Sequence, residues 1–286
     1  MKVLLAGAYG KLGTDVLKSL VNKGHEVLAT DLHVKEVEGI EGRYQKKAAD
    51  VTKPEQLAGM CDGMDVVMTT VGLTGGSTTV TNYDIDYQGN LNLLNEAKKA
   101  GVKHFTYVSV LKADNPKAAN IPMLDAKAKF ENKLKESGLQ YCILRPTGYF
   151  YDIVKVFKPM IEKGSVTLLG NDPVSCNVID TPDLADFMTE HMLDDNQTYN
   201  IGGTEEYTYQ QIAEMMFAVN GKEPVIKRAP AWLFDILAWI QKIRKTGKES
   251  LIRFSKWTLT ESMVADTRYG KNSFKKYIEE NGRIGA

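Results

Sequence analysis

Glycines near the start of the chain are spaced for binding a phosphate group. Gly7, Gly10 and Gly13 form a G-x-x-G-x-x-G pattern between a predicted strand and a predicted helix. Glycine has no Cβ, so such a turn can approach a pyrophosphate closely, while the helix N-terminus offers N–H donors and positive partial charge. The pattern therefore predicts a dinucleotide-binding turn. Its predicted members are Gly7, Tyr9, Gly10, Lys11, Leu12 and Gly13.

An acidic residue at the end of the second predicted strand indicates how the ribose of a dinucleotide would be held. Asp31 follows Gly7 by 24 positions, close to the spacing at which a carboxylate accepts the adenosine ribose hydroxyls. The same carboxylate would repel a 2′-phosphate, so the sequence favours NAD(H) as the cofactor. NADP(H) is kept as an alternative, because His33 and Lys35 are able to neutralise a phosphate in the following loop.

Residues after the third and fourth predicted strands would line the rest of a bound dinucleotide. Asp50 and Val51 are expected beside the adenine, although Asp50 suits the carboxylate of an ordinary turn equally well. Thr70, Val71 and Gly72 are expected on the far side of the cofactor, because ligands of parallel sheets bind at the carboxyl ends of the strands.

Composition excludes several other classes of protein. The chain has 286 residues, with 36 Lys plus Arg balanced by 36 Asp plus Glu, so it lacks the basic excess with which nucleic-acid binders neutralise phosphates. Its three cysteines have no C-x-x-C spacing and its four histidines are scattered, so neither a disulfide framework nor a metal site is expected. Without an export signal or a run of about 18 apolar residues, a cytoplasmic location is expected.

The elements that must position these residues alternate regularly over the first half of the chain. Six apolar runs of strand length are separated by stretches of helical period, a pattern typical of a doubly wound parallel (Rossmann) sheet in the α/β class. We therefore predict a dinucleotide-binding domain over residues 1–146 and a smaller, irregular, substrate-covering part over 147–286, interleaved with the first. The predicted strands are residues 3–6, 26–30, 44–49, 65–71, 102–110 and 141–144.

Two helices are predicted to begin with a capping box, in which the N-cap hydroxyl and a side chain three residues later bind each other's backbone N–H groups. Thr52 with Glu55 has this spacing, and Pro54 suits a first helical turn. Thr208 with Gln211 has the same spacing before a second apolar stripe.

Several motifs together resemble an atypical short-chain dehydrogenase/reductase of the NmrA-like group. They are GAYGKLG (7–13), DYQGN (86–90), VKHFTYVS (102–109), the segment 127–131 and LRPTG (144–148). The second half, with RPTGYF (145–150) and segments 183–185, 201–203 and 221–224, is similar to the divinyl-chlorophyllide 8-vinyl reductase branch. The resemblance implies an NAD(P)-binding Rossmann fold, with further cofactor contacts from Lys127 and Pro146.

Dehydrogenases of this family use a serine and a Tyr-x-x-x-Lys pair, and here the tyrosine is missing. Ser109 and Lys127 match the serine and the lysine, but the residue four before Lys127 is Met123. A thioether has no exchangeable proton and is therefore neither acid nor base. Tyr149 and Tyr151 follow the sixth strand and are the candidates for the missing phenol, with pocket wall as the alternative role. The predicted catalytic residues are Lys127, Ser109, Tyr149 and Tyr151.

These residues favour an oxidoreductase that transfers hydride between a nicotinamide cofactor and a C=C or C=O bond of an apolar organic substrate. A different class, a non-catalytic NAD(P)(H)-binding redox sensor, is implied for some NmrA-like proteins and is favoured by Met123. A third, an NAD-dependent epimerase or dehydratase, is weakened by the missing tyrosine.

A strongly apolar stretch with a basic flank lies in residues 230–245. Such a stretch fits a helix lying on a membrane surface. It also fits a buried helix roofing an apolar substrate pocket. We favour the roof, because a helix that is apolar nearly all round is expected to have neighbours on several sides.

Overall fold

The computed structural model describes residues 1–285. Its central sheet has eight strands flanked by helices, which confirms the predicted doubly wound α/β fold. The described residues form twelve strands in all, eight in this sheet and four in two smaller ones. In chain order they are β1 (Lys2–Ala6), β2 (Glu26–Asp31), β3 (Gln45–Ala48), β4 (Val66–Thr69), β5 (His104–Val108), β6 (Gln140–Pro146), β7 (Val166–Leu169), β8 (Ser175–Cys176), β9 (Gln197–Gly202), β10 (Tyr207–Thr208), β11 (Ile226–Ala229) and β12 (Thr267–Arg268).

Ten α-helices connect or cover these strands within the described residues. They are α1 (Lys11–Asn22), α2 (Pro54–Leu57), α3 (Asn90–Lys99), α4 (Pro122–Lys135), α5 (Phe150–Glu162), α6 (Thr181–His191), α7 (Tyr209–Val219), α8 (Trp232–Ile243), α9 (Glu249–Thr260) and α10 (Phe274–Asn281).

The order of the sheet determines where a ligand would bind. The strands run β12-β9-β6-β5-β4-β1-β2-β3, and all neighbouring pairs from β3 to β6 are parallel. The chain order reverses between β1 and β4, and in doubly wound sheets ligands bind in the crevice at the carboxyl ends of the strands on either side of this point. Ala6 pairs with Thr69 there, so the residues that follow both strands share one edge.

The chain divides into two compact units. The first comprises residues 1–145 together with 184–199, and the second comprises residues 146–183 together with the described chain from 200 onward. Residues 184–199 thus return to the first unit, and the predicted boundary between 146 and 147 stays a prediction. In residues 1–285, no helix combines the length and the apolar character needed to cross a membrane.

The core of the first unit fixes α4 against the sheet. Phe105 and Tyr107 of β5 share one face of the sheet, and both are fully buried. Phe130 of α4 packs edge-on against Tyr107, with 4.6 Å between the ring centroids. An ion pair adds to this packing, because Arg145 at the end of β6 donates from Nε to Oε1 of Glu131 on α4 at 2.9 Å.

The second unit has two small sheets of its own. β7 pairs with β11 in parallel, and β8 pairs with β10 in antiparallel orientation. The side chain of Asn177 ties distant segments together, since its Oδ1 accepts from the N–H of Ala265 at 2.9 Å and its Nδ2 donates to the carbonyl of the same residue at 3.0 Å. Phe150 packs against Phe274 with ring centroids 4.8 Å apart.

The two predicted capping boxes had opposite outcomes. The box at the start of α7 is confirmed, with reciprocal bonds between Thr208 and Gln211. The box of Thr52 with Glu55 is wrong, because the N-cap of α2 is Lys53 and no side chain caps it in the described structure. Thr52 instead donates its hydroxyl to Oδ1 of Asp50 at 2.7 Å; a carboxylate two residues away competes successfully for that hydroxyl.

Two further differences from the predictions concern helices. A π-helical turn, Tyr83–Gly89, precedes α3 and was not predicted. The prediction that residues 230–245 are buried on several sides is wrong, because Ala238 is the only buried residue of α8. Apolar composition does not reveal how many neighbours a helix has, and here α9 covers the side of α8 that carries Ala238, while six large apolar side chains face solvent.

Candidate functional site

The glycine turn follows β1 directly at the point where the sheet order reverses. Gly7 has a φ of +77°, a conformation that favours glycine, and its N–H donates to the carbonyl of Thr30 on β2 at 2.9 Å. A Cβ on Gly7 would lie 2.7 Å from Oγ1 of Thr70, which follows β4. The turn therefore has room for backbone only.

The helix after the turn presents an uncapped N-terminus. Gly10 is the N-cap of α1, and within the described chain no side chain caps it and no acidic residue occupies the first turn. A Cβ on Gly13 would collide with the carbonyl oxygen of Gly7 and lie 2.8 Å from its carbonyl carbon. Close packing of backbone on backbone and free N–H groups together form a cradle that fits the pyrophosphate of a dinucleotide.

Asp31, at the end of β2, is brought to the same turn. Its Oδ2 accepts the N–H of Tyr9 at 3.2 Å, and its Oδ1 accepts the N–H of Leu32 at 2.7 Å. Each oxygen keeps a further lone pair for a ribose hydroxyl. Burial raises the pKa of the Tyr9 phenol, and the neighbouring Tyr44 adds to the increase, so this side chain stays neutral beside the carboxylate.

Hydrogen bonds hold the residues after β4 close to the glycine turn, and their predicted contact with the cofactor stays a prediction. Thr70 donates its hydroxyl to the carbonyl of Gly7 at 3.0 Å, which closes the turn. The N–H of Val71 donates to Oγ1 of Thr69 at 3.1 Å. A Cβ on Gly72 would lie 2.9 Å from Oδ1 of Asp86, so the loop runs directly over a buried carboxylate.

Asp50 and Val51, after β3, have structural partners of their own. Oδ1 of Asp50 accepts both the N–H and the hydroxyl of Thr52, at 2.9 and 2.7 Å, which is the turn role left open by the sequence. The carbonyl of Val51 accepts from Nδ2 of Asn92 at 2.9 Å. Their predicted contact with adenine stays a prediction.

Lys127 is buried rather than exposed on its helix. It is 8% accessible, and its Nζ lies 3.1 Å from Oδ1 of the fully buried Asp86. Nζ also donates to the carbonyl of Val108 at 3.3 Å and lies 5.4 Å from the centroid of the Tyr107 ring. An ammonium group has three donors; Val108 accepts one of them, whereas the contact with Oδ1 of Asp86 is an ion pair and not a hydrogen bond.

Ser109 follows β5 and carries an unsatisfied hydroxyl. Its N–H donates to the carbonyl of Leu144 at 2.7 Å, which fixes the backbone. The residue is 2% accessible, and its Oγ has no hydrogen-bond partner in residues 1–285. Leaving a buried hydroxyl unpaired costs about 1–3 kcal/mol, and such groups concentrate at functional sites.

Asp86 and Asn90 were not among the predicted site residues, although Asp86 pairs with Lys127. Oδ2 of Asp86 accepts from Nδ2 of Asn82 at 2.9 Å and from the N–H of Leu73 at 3.2 Å. Asn90 donates from Nδ2 to the carbonyl of Asp86 at 3.0 Å and accepts the hydroxyl of Thr69 at 2.8 Å. A signal was present: both are polar residues of the motif DYQGN (86–90), which leads into the apolar buried residues Leu93, Leu94 and Ala97 of α3.

The remaining predicted catalytic residues lie in the second unit. The rings of Tyr149 and Tyr151 stack with centroids 5.7 Å apart and planes 9° apart. Burial raises the pKa of the Tyr149 phenol, so this group holds its proton at neutral pH. Pro146 is buried at the end of β6, and Met123 is buried in the first turn of α4.

The described residues contain no group of three or more His, Cys, Asp or Glu side chains arranged to hold a metal ion. The first unit alone thus holds the glycine cradle, the buried ammonium–carboxylate pair of Lys127 and Asp86, and the unpaired hydroxyl of Ser109.

The chain matches one family model and is similar to several known proteins. A family model described as NAD(P)H-binding matches residues 7–195. The chain is 28% identical over 315 aligned residues to the chloroplastic divinyl chlorophyllide a 8-vinyl-reductase of Arabidopsis thaliana, covering 96% of this chain and 73% of that protein. It is 26% identical over 269 aligned residues to the photosystem II assembly factor Ycf39 of Synechocystis sp., covering 92% and 77% respectively.

Among solved structures, the triphenylmethane reductase of Citrobacter sp. complexed with NADP(H) is similar, with a TM-score of 0.72. The two chains share 18% identity over 98% of this chain and 100% of that one. At this identity the likeness supports a common fold only.

Proposed function

The chain belongs to the NAD(P)H-binding family, as its NmrA-like motifs predicted, and on that premise we propose that it is a reductase that uses a nicotinamide cofactor to reduce a C=C or C=O bond of an apolar organic substrate. The relative named divinyl chlorophyllide a 8-vinyl-reductase supports a conjugated vinyl group as the bond reduced. The similar structure of a triphenylmethane reductase supports the fold on which the proposed reduction would take place.

The observation that carries the proposal is the Ser109 hydroxyl. It is 2% accessible and unpaired within the described chain, so a ligand group that bonds to it would remove a desolvation cost the folded protein already bears. Ser109 belongs to the same unit as the glycine turn and Lys127.

In the proposed reaction the cofactor supplies a hydride, the substrate gains this hydride and a proton, and the cofactor leaves oxidised. Lys127 would hold the nicotinamide ribose with an N–H donor that Val108 does not accept, and the charge of Asp86 would keep that ammonium group in place. Ser109 would donate to the polar end of the conjugated system, where negative charge develops. Tyr149 or Tyr151 would supply the proton, because a phenol with a raised pKa is still protonated at neutral pH.

For the cofactor we propose NAD(H) in preference to NADP(H). The support is Asp31, whose two oxygens are oriented by the N–H groups of Tyr9 and Leu32 and which would repel a 2′-phosphate. NADP(H) stays the alternative, since the similar reductase structure contains it. The predicted cytoplasmic location and the predicted absence of nucleic-acid partners stay predictions.

The test combines binding with turnover. Purified protein is titrated with NADH and with NADPH by nicotinamide fluorescence, and we expect a dissociation constant on the order of 1 µM for the preferred cofactor. The complex is then mixed with enones, quinones and vinyl arenes, using cofactor deuterated at the transferred position. Deuterium in the reduced product supports the proposal. Failure to bind either cofactor contradicts it.

A second candidate function is a non-catalytic sensor of NAD(P)(H). The observation in its favour is Met123, a buried thioether four residues before Lys127, which removes the usual proton donor. The similarity to the assembly factor Ycf39 also supports it. Stoichiometric NADH that stays reduced with every substrate class, while the bound cofactor changes the protein's proteolysis pattern, would favour the sensor over the reductase.

A further inference from the structure

The apolar face of α8 is the largest exposed hydrophobic feature of the second unit. Trp232 is 56% accessible and Trp239 is 60% accessible, although large aromatic side chains usually bury most of their area. Four aliphatic side chains continue the same surface. They are Leu233, Ile236, Leu237 and Ile243.

These six side chains lie on one side of the helix. At 3.6 residues per turn they span an arc of about 160°. The opposite side, which includes Ala238, packs against α9, and Nζ of Lys256 on α9 lies 2.6 Å from Oδ2 of Asp235 on α8. The exposed arc therefore contributes nothing to holding α8 and α9 together, and its apolar area is free for another surface.

Charge is concentrated at the end of this face. Residues 230–260 contain six basic and two acidic residues, a local charge of +4 in a chain whose net charge is zero. Both acids are engaged, since Asp235 pairs with Lys256 and Glu249 pairs with Arg253 at 3.1 Å. The exposed turn after α8 carries basic side chains that these acids do not neutralise. They are Arg244, Lys245 and Lys248.

We propose that α8 and the basic turn after it, residues 232–248, dock on an anionic lipid bilayer. The helix would lie in the plane of the interface with its apolar arc in the acyl boundary and its two tryptophans at the headgroup level. The basic turn would contact anionic headgroups. Charge complementarity selects this occupant: a second copy of the chain would bring an equal positive charge toward the same face, whereas an anionic membrane offers apolar depth and negative charge together.

The experiment is co-sedimentation of the full-length protein with vesicles of phosphatidylcholine, with or without phosphatidylglycerol. We expect binding to the anionic vesicles, little binding to phosphatidylcholine alone, and loss of most binding in about 0.5 M NaCl. Tryptophan fluorescence gives a second readout. Two of the three tryptophans lie on the exposed face and Trp257 is buried, so insertion shifts the emission to shorter wavelength.

Two variants separate the apolar and electrostatic contributions. Trp239→Ser with Ile243→Ser should reduce the bound fraction roughly tenfold at any salt concentration, because the residues removed are those that insert. Arg244→Gln with Lys245→Gln and Lys248→Gln should reduce binding to anionic vesicles similarly and abolish its salt dependence. Lys98→Gln with Lys99→Gln and Lys103→Gln, three exposed residues of the first unit, is the matched control and should bind as the parent does.

Thermal unfolding of each variant shows that folding is intact, which is expected because the altered side chains are exposed. Equal binding to both kinds of vesicle, or binding to neither, overturns the proposal. Light scattering of the protein without lipid provides the last arm: a dimer that dissociates in the Trp239→Ser, Ile243→Ser variant would assign the face to self-association instead.

Discussion

The ammonium group of Lys127 lies 3.1 Å from Oδ1 of Asp86, and the two side chains are 9% and 0% accessible. Removing one partner of a buried ion pair leaves an uncompensated charge and costs about 3–5 kcal/mol. We therefore expect Lys127→Met to lower the free energy of unfolding by about that amount, measured by urea denaturation, and to weaken NADH binding.

The double variant Asp86→Asn, Lys127→Met is the control for this pair. It removes both charges, so most of the lost stability should return, while NADH affinity stays low because the ribose contact is still missing. Additive losses of stability from the two substitutions would contradict the coupling between Lys127 and Asp86.

Gly13→Ala and Gly10→Ala should separate the fold of the turn from its function. A Cβ on Gly13 collides with the Gly7 carbonyl, whereas a Cβ on Gly10 has only an ordinary contact of 3.5 Å with the same oxygen. Gly13→Ala should lower the thermal midpoint clearly, by roughly 2–4 °C per kcal/mol lost. Gly10→Ala should change the thermal midpoint by no more than about 2–4 °C. It should weaken cofactor binding, because the added methyl group lies at the turn where we expect the pyrophosphate. Calorimetry and fluorescence titration measure the two effects.

Asp31→Ala should weaken NADH binding more than NADPH binding. In the proposed role the carboxylate would accept the ribose hydroxyls of NADH and repel the 2′-phosphate of NADPH, so the affinity ratio should shift toward NADPH by about tenfold or more. Asp31→Asn retains one acceptor oxygen and should fall between the parent and Asp31→Ala. An unchanged ratio in both variants would show that the ribose is held elsewhere.

Tyr149→Phe should lower kcat if this phenol supplies the proton. Loss of a positioned general acid typically costs about 10²–10⁴-fold, and KM should change little because the aromatic ring is kept. Tyr151→Phe, its stacking partner at 5.7 Å, is the matched comparison. If both variants keep the parent kcat for a substrate found in the turnover screen, neither tyrosine is the acid.

All three cysteines should be unreactive in the folded protein. Burial raises the pKa of the Cys61, Cys142 and Cys176 thiols to about 12 each. At pH 8 the thiolate fraction is then on the order of 10⁻⁴, against about a quarter in the unfolded chain. Iodoacetamide followed by mass spectrometry should find no label in the native protein and three labels in urea.

The same raised thiol pKa values determine how the free energy of unfolding changes with pH. Because the folded pKa values lie above the unfolded ones, the unfolded chain loses its thiol protons first, so this contribution to stability is complete below about pH 8.5 and decreases as the pH rises toward 12. Rapid labelling of any thiol at pH 8 in the native state would contradict both expectations.

Much of the fold could be predicted because it depends on short-range patterns. The bounds of β1, β2 and β3 fall within two residues of those predicted, since apolar period and flanking turn residues are local signals. The predictions were wrong where two polar groups compete for one hydroxyl and where burial depends on residues distant in the chain. The Thr52 hydroxyl donates to Asp50, so it does not form the predicted capping box. Helix α8 has fewer neighbours than its composition suggested.

For this protein the amino-acid sequence by itself determined the glycine turn, the carboxylate of Asp31 and the missing phenol at Met123, because each follows from residue type and spacing along one segment. Only the tertiary structure decided what Lys127 and α8 do. Packing α4 on the sheet brings Lys127 against Asp86, 41 residues earlier in the chain, and withdraws both from water. The pairing of α8 with α9 leaves an apolar face in solvent. Desolvation depends on what surrounds a group in three dimensions, and no spacing within one segment specifies that.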